Sequence, residues 1–129
     1  MSVLVDSSVW IAASKKGSKV ATRLTKMIHS DEIIYYSKII QVEVSQGART
    51  QGEFAMVWDA FLGFNELPVL DSDWEAAAWN YFRCRGKGIT LATIDCLIAT
   101  LASRYRLPLW SEDKVFLKIA PIIGFDLMI

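Results

Sequence analysis

Four carboxylates in this chain stand where solubility does not call for them. Asp6 follows the apolar run Val3-Leu4-Val5, and Asp113 comes just past Leu109-Trp110-Ser111. Asp95 opens a stretch in which Ile94, Leu97, Ile98 and Leu101 recur at spacings of three and four, and Glu43 interrupts Ile39, Ile40, Val42 and Val44. Each has an ordinary explanation when taken singly. Asp6-Ser7-Ser8 makes a turn or a helix N-cap. Asp95 complements a helix dipole for about 0.3–1 kcal/mol. Asp113 starts a helix, and Glu43 pairs with a lysine. The alternative is that the four share one site. Two like charges 4 Å apart repel by roughly 4 kcal/mol at an effective dielectric near 20, so four gathered acids need protons or a cation among them. The chain has one His, His29, and two Cys, Cys84 and Cys96, which leaves an all-oxygen donor set. Such a set suits Mg²⁺ or Mn²⁺. A cation of that kind lowers the pKa of bound water and offsets charge on a phosphoryl oxygen. If the four share a site, the reaction class these residues suggest is metal-assisted hydrolysis of a phosphodiester.

Elements must exist to bring these acids together. Val3-Leu4-Val5 has no polar alternation, the mark of a strand buried on both faces of a parallel sheet. Asp6 is then the first residue off its carboxyl end, where open α/β sheets bind ligands. A helical turn over residues 9–13 follows, then a helix with Val20, Leu24, Met27 and Ile28 on one face. Ile33-Ile34-Tyr35-Tyr36 forms a second strand. Ser37 caps a helix carrying Glu43, which ends at Gly47 and pairs with a helix marked by Phe54, Val57, Trp58, Phe61 and Leu62 as a hairpin. Asn65 to Leu70 forms a third strand, irregular at Pro68. Asp71 or Ser72 caps the next helix, Thr93 caps the one holding Asp95, and Leu109-Trp110-Ser111 makes a fourth strand. A short helix from Lys114 to Ala120 and a last strand from Ile122 to Ile129 close the chain. This alternation predicts a three-layer α/β/α fold with a mainly parallel central sheet. Asp6 and Asp113 then lie side by side at its carboxyl edge.

Composition narrows the class further. The chain has 129 residues, 53% hydrophobic and 22% charged, enough for one folded domain spanning 1–129. Two cysteines inside helices make neither a disulfide framework nor a zinc pattern, consistent with a reduced cytoplasmic protein. The longest apolar runs are too short to span a membrane, and no charged-then-apolar leader precedes the first strand. Five Trp and six Phe imply a bulky core with an apolar surface patch left for a partner. Fourteen basic residues balance fourteen acidic ones, so any nucleic-acid contact rests on local clusters. Lys15, Lys16, Lys19, Arg23 and Lys26 form one; Arg83, Arg85 and Lys87, beside the Gly86-Lys87-Gly88 loop, form another.

At these residues the sequence resembles a PIN domain, and within that family the small toxin ribonucleases of the VapBC type. Val3-Leu4-Val5-Asp6-Ser7-Ser8-Val9 matches the family's opening strand and acid. Thr93-Ile94-Asp95-Cys96-Leu97-Ile98-Ala99 matches its central acid and apolar helix. Leu109-Trp110-Ser111-Glu112-Asp113-Lys114-Val115-Phe116 matches the late strand, hydroxyl, acid and phenylalanine, and Glu43 fits the helical glutamate. One departure is Leu91-Ala92-Thr93-Ile94, where many relatives carry a proline near the acid. The resemblance implies a Mg²⁺- or Mn²⁺-dependent endoribonuclease, homodimeric and held inactive by a cognate antitoxin. Asp6, Glu43, Asp95 and Asp113 would be its catalytic and metal-binding residues, with Glu43 acting through water. Ser7 and Ser111 would orient the carboxylates. Competing readings are a PIN-like module that binds RNA or protein without cutting, and a Mg²⁺-binding receiver domain, which would want two adjacent acids after the first strand and a late lysine. A phosphatase would want an Asp-x-Asp pair, which Asp6-Ser7-Ser8 lacks.

Overall fold

The computed structural model describes residues 1–128. Its sheet has five strands in the order β3-β2-β1-β4-β5: β1 Ser2–Val5, β2 Ile33–Tyr36, β3 Asn65–Glu66, β4 Leu109–Trp110 and β5 Leu127–Met128. All four pairings are parallel, with Leu4 opposite both Tyr35 and Leu109. This is the predicted α/β architecture. It is not the flavodoxin-like order 2-1-3-4-5 of receiver domains, which removes that reading.

Among the described residues seven α-helices accompany the sheet: α1 Ser7–Ala13, α2 Lys19–Ile28, α3 Lys38–Ser45, α4 Gln51–Ala60, α5 Asp71–Gly86, α6 Thr93–Tyr105 and α7 Val115–Ile123. The strand period of two divides them into layers. Val3 and Val5 point to one face, where Val9 of α1 and Leu24 and Met27 of α2 close a small core over Trp110. Leu4 points to the other, larger core, built from Ile40, Ala77, Leu97, Ile98, Leu101, Phe116 and Ile119. β1 is thus buried on both faces, which is why its sequence shows no alternation.

Several boundaries differ from the sequence expectation. The third strand stops at Glu66 rather than Leu70, because the chain must leave the sheet before Pro68. The last helix runs through Pro121 to Ile123, and Gly124 at φ +89° ends it. Ile122 and Ile123 are therefore helical and the final strand is only Leu127–Met128; residue 129 lies outside the described residues. The cap of α5 is neither Asp71 nor Ser72. Leu70 is the N-cap, and the Asp73 carboxylate accepts from its N–H at 2.8 Å. Ser37 and Ala92 occupy the N-cap positions of α3 and α6 without side-chain caps, and Thr93 is the first helical residue. Among the described residues, no helix is long and apolar enough to cross a membrane.

Both cysteines are free and buried. The aromatic surplus divides: Trp110 lies wholly inside, while Trp74, Trp79 and Phe82 on α5 are 52%, 59% and 56% exposed.

Candidate active site

Asp6 stands at the junction of β1 and α1. Its N–H donates to Trp110 O at 2.9 Å, extending the ladder to β4 by one residue. It is the N-cap of α1, so the ordinary explanation of its position is true. Yet its side chain does more than cap. The carboxylate is only 2% exposed, and one oxygen, Oδ2, accepts from Ser8 Oγ at 2.6 Å and Ser111 Oγ at 2.8 Å, with Ser8 N at 3.4 Å. Three donors on one oxygen fix its orientation.

The two hydroxyls also tie strand tips together. Ser111 Oγ accepts from Asp113 N at 3.0 Å, and Ser8 Oγ accepts from Glu112 N at 3.0 Å. The turn carrying Asp113 is thereby pinned against the start of α1. Asp113 itself is exposed and accepts from Val115 N at 3.0 Å, opening α7. Ser8 is a positioning residue that sequence reasoning passed over; the signal available was the doubled hydroxyl after Asp6.

Glu43 reaches the same place from α3. Ser7 Oγ donates to Glu43 Oε1 at 3.0 Å and lies 3.5 Å from Asp6 Oδ1. Burial raises the Glu43 pKa, the Ser7 hydrogen bond lowers it, and the Asp6 charge raises it further, for a net upward shift. Asp95, half-buried in the first turn of α6, is pushed up to about 6. Burial is the largest cause, followed by the charges of Asp6, Asp113 and Glu43, all acting upward. The other three acids, from distant parts of the chain, lie within electrostatic reach of Asp95.

They do not form a closed cage. Among the described residues, no three carboxylate, imidazole or thiol groups stand as a ready-made coordination cluster. A hydrated hard cation does not need one, since Mg²⁺ keeps several waters and binds through one or two carboxylates. The all-oxygen donor set and the mutual repulsion at Asp95 suit such an ion. A cleft of about 400 Å³ around Arg106, Phe125 and Asp126 lies at the far end of α6 from these acids, and a roomier one of about 460 Å³ borders Ser72, Glu75 and Trp79 of α5; chemistry, not size, marks the candidate site.

The basic clusters fare differently. Lys15, Lys16, Lys19 and Lys26 are exposed around α2, and the Arg23 guanidinium sits 4.6 Å from the ring centre of Trp110, the residue before Ser111. Arg83 donates to Asn80 at 2.7 Å, and Asn80 donates to Thr100 at 3.0 Å. That arginine is engaged in joining α5 to α6, so the second cluster offers only Arg85 and Lys87.

A family model described as PIN domain matches residues 3–121. The chain belongs to the PIN domain family. Solved structures with this fold include VapBC2 from Rickettsia felis bound to a DNA fragment from its promoter, at 17% identity over 99% of this chain and 98% of that one, with a TM-score of 0.80. FitAcB from Neisseria gonorrhoeae is 16% identical over 98% of this chain and 96% of that one, with a TM-score of 0.78. VapC20 from Mycobacterium tuberculosis, a sarcin-ricin loop cleaving toxin, is 15% identical over 95% of each chain, with a TM-score of 0.72. At these identities the likeness concerns the fold.

Proposed function

We propose that this PIN domain is a divalent-metal-dependent endoribonuclease and the toxin half of a type II toxin–antitoxin pair. The observation that carries the reading is the convergence of Asp6, Glu43, Asp95 and Asp113 on one sheet edge, with Asp95 repelled by the other three. Asp6, Asp95 and Asp113 would hold Mg²⁺ or Mn²⁺, with Glu43 acting through a water. When bound, such a cation supplies a Lewis acid for the phosphoryl oxygen and a water of lowered pKa.

The chain's own groups do the rest. Ser8 and Ser111 hold the Asp6 carboxylate in one orientation, and Ser7 holds Glu43 by Oε1. Oε2 of Glu43 is then the acceptor offered to a proton from attacking water, and the raised pKa brings its basicity closer to neutrality. Exposed lysines around α2 attract the phosphate backbone, giving binding that weakens with salt. An antitoxin and a second copy of the chain are the expected protein partners in the cytoplasm, in keeping with structural neighbours that are themselves VapBC and FitAB complexes.

The test is cleavage of total RNA by the purified chain with Mg²⁺, Mn²⁺ or EDTA, beside Asp6→Asn. Discrete products that require metal and vanish in the variant are expected. Full cleavage by Asp6→Asn would overturn the assignment. No cleavage with any metal, joined to no metal binding by calorimetry, would leave a PIN-like module that binds without cutting.

A further inference from the structure

Beside Glu43 a narrow slot opens between α1 and the α3–α4 hairpin. Trp10, Ile11, Val44 and Val57 form its walls, and Glu43 and Glu53 are its charged points. Its volume is about 180 Å³, below the roughly 300 Å³ at which pockets for drug-sized ligands begin. It therefore takes one planar ring system or one side chain.

The slot is preset rather than adaptable. The Trp10 ring is held at an angle by Phe61 and Phe64, with centroids 5.1 and 4.9 Å away, and its Nε1 donates to Val5 O at 3.1 Å. Glu53 is anchored at the start of α4: Thr50 Oγ1 accepts from Glu53 N at 3.1 Å, and Glu53 Oε2 accepts from Arg49 N at 3.2 Å. Glu43 is anchored by Ser7. Two fixed carboxylates repel a phosphate and select a flat, uncharged body whose edge carries N–H donors.

We infer that this slot is a base-recognition subsite, taking the unpaired nucleobase next to the scissile phosphate. It favours bases that carry exocyclic amino groups, guanine, cytosine or adenine, over uracil, whose one ring N–H on that edge lies between two carbonyl oxygens that would face the carboxylates. Splayed bases held against aromatic and apolar walls and hydrogen-bonded on their edges are the usual mode of single-stranded RNA recognition. The inference rests on the nuclease reading, since Glu43 is shared between slot and hydrolytic site and sets the base beside the phosphate.

The experiment uses the Asp6→Asn chain, so that RNA survives, and labelled hexamers of cytidylate, adenylate or uridylate, read by fluorescence anisotropy. Cytidylate or adenylate should bind about tenfold more tightly than uridylate, the discrimination one good edge contact gives. Adding Glu53→Gln, which keeps a side-chain oxygen for Arg49 N, or Ile11→Trp, which fills the slot, should erase that ratio while leaving uridylate binding in place. Equal binding of all hexamers, or a preference untouched by both changes, overturns the subsite. So does displacement of bound cytidylate by arginine amide with no base preference, which would assign the slot to a protein side chain. Wild-type cleavage of total RNA is read separately. Metal-dependent cleavage without base preference sinks only the subsite, and base preference without cleavage sinks only the nuclease.

Discussion

Asp73 and Asp95 occupy nearly the same position in consecutive helices, the first turns of α5 and α6, and the fold treats them in opposite ways. Asp73 is 1% exposed and fully partnered. Arg104, in the last turn of α6, grips both its oxygens, through Nε to Oδ1 and at 2.8 Å to Oδ2, and Leu70 N–H adds a third donor. Asp95 has a similar helical setting and receives three further acids instead of a cation. A stability-driven design would have paired both. An acid whose burial and neighbours all disfavour its charge, at the carboxyl edge of a parallel sheet, is the arrangement expected of a working site.

The largest effect expected from this contrast is on Asp73. Replacing it by Ala leaves Arg104 without its partner, and breaking a buried pair on one side costs about 3 kcal/mol or more. Arg104 is one-third exposed, so the lower end of that range applies. Urea unfolding should show the loss, while cleavage per folded molecule stays unchanged. A loss below about 1 kcal/mol would mean that the clasp contributes little. Asp95→Asn should behave in the reverse manner: if Asp95 is a metal ligand as proposed, cleavage falls by more than about a hundredfold, and the fold survives. Retained cleavage in Asp95→Asn would dissolve the contrast.

A smaller effect is expected at Ser111. Ser111→Ala removes one donor to Asp6 and the acceptor for Asp113 N. Divalent-ion affinity, measured by calorimetry, should fall roughly tenfold, the usual scale for groups that orient ligands. Unchanged affinity would show that Ser8 alone suffices to orient Asp6.

How much of this was legible beforehand follows from the range of each interaction. The buried strand, the acid at its tip and the apolar helix behind Asp95 are local patterns, and sequence carries them directly. The Asp73–Arg104 clasp spans 31 residues, and nothing in either segment announces the other, so Asp71 and Ser72 looked like better caps. Pro121 followed by two isoleucines looked like a helix end and a strand. The helix continues because Phe116, Ile119 and Ile123 bury one face while Pro121 sits on the exposed side. Ser8 escaped notice because its role depends on Glu112 and Ser111 arriving from β4. The slot beside Glu43 depends likewise on how α1 meets the α3–α4 hairpin.

The smallest effect expected distinguishes a strained acid from a satisfied one most sharply. The folded-state pKa of Asp95, about 6, lies above its ordinary value. In metal-free protein its contribution to stability is therefore fully present below about pH 4 and is lost as pH rises to about 6. Above that, the folded state carries an unfavourable charge that Asn would not. Two pKa units correspond to nearly 3 kcal/mol, but solvent reaches about half of this carboxyl, so about 1 kcal/mol is the reasonable expectation. In EDTA at pH 7, Asp95→Asn should be the more stable protein, and the two stability curves should converge near pH 4. Saturating Mg²⁺ should reverse the order, because a ligand that binds only the folded state stabilises the wild type by its own binding free energy. Parallel curves from pH 4 to 7, with no reversal by metal, would show that Asp95 is as contented as Asp73, and the contrast between the two acids would lose its meaning.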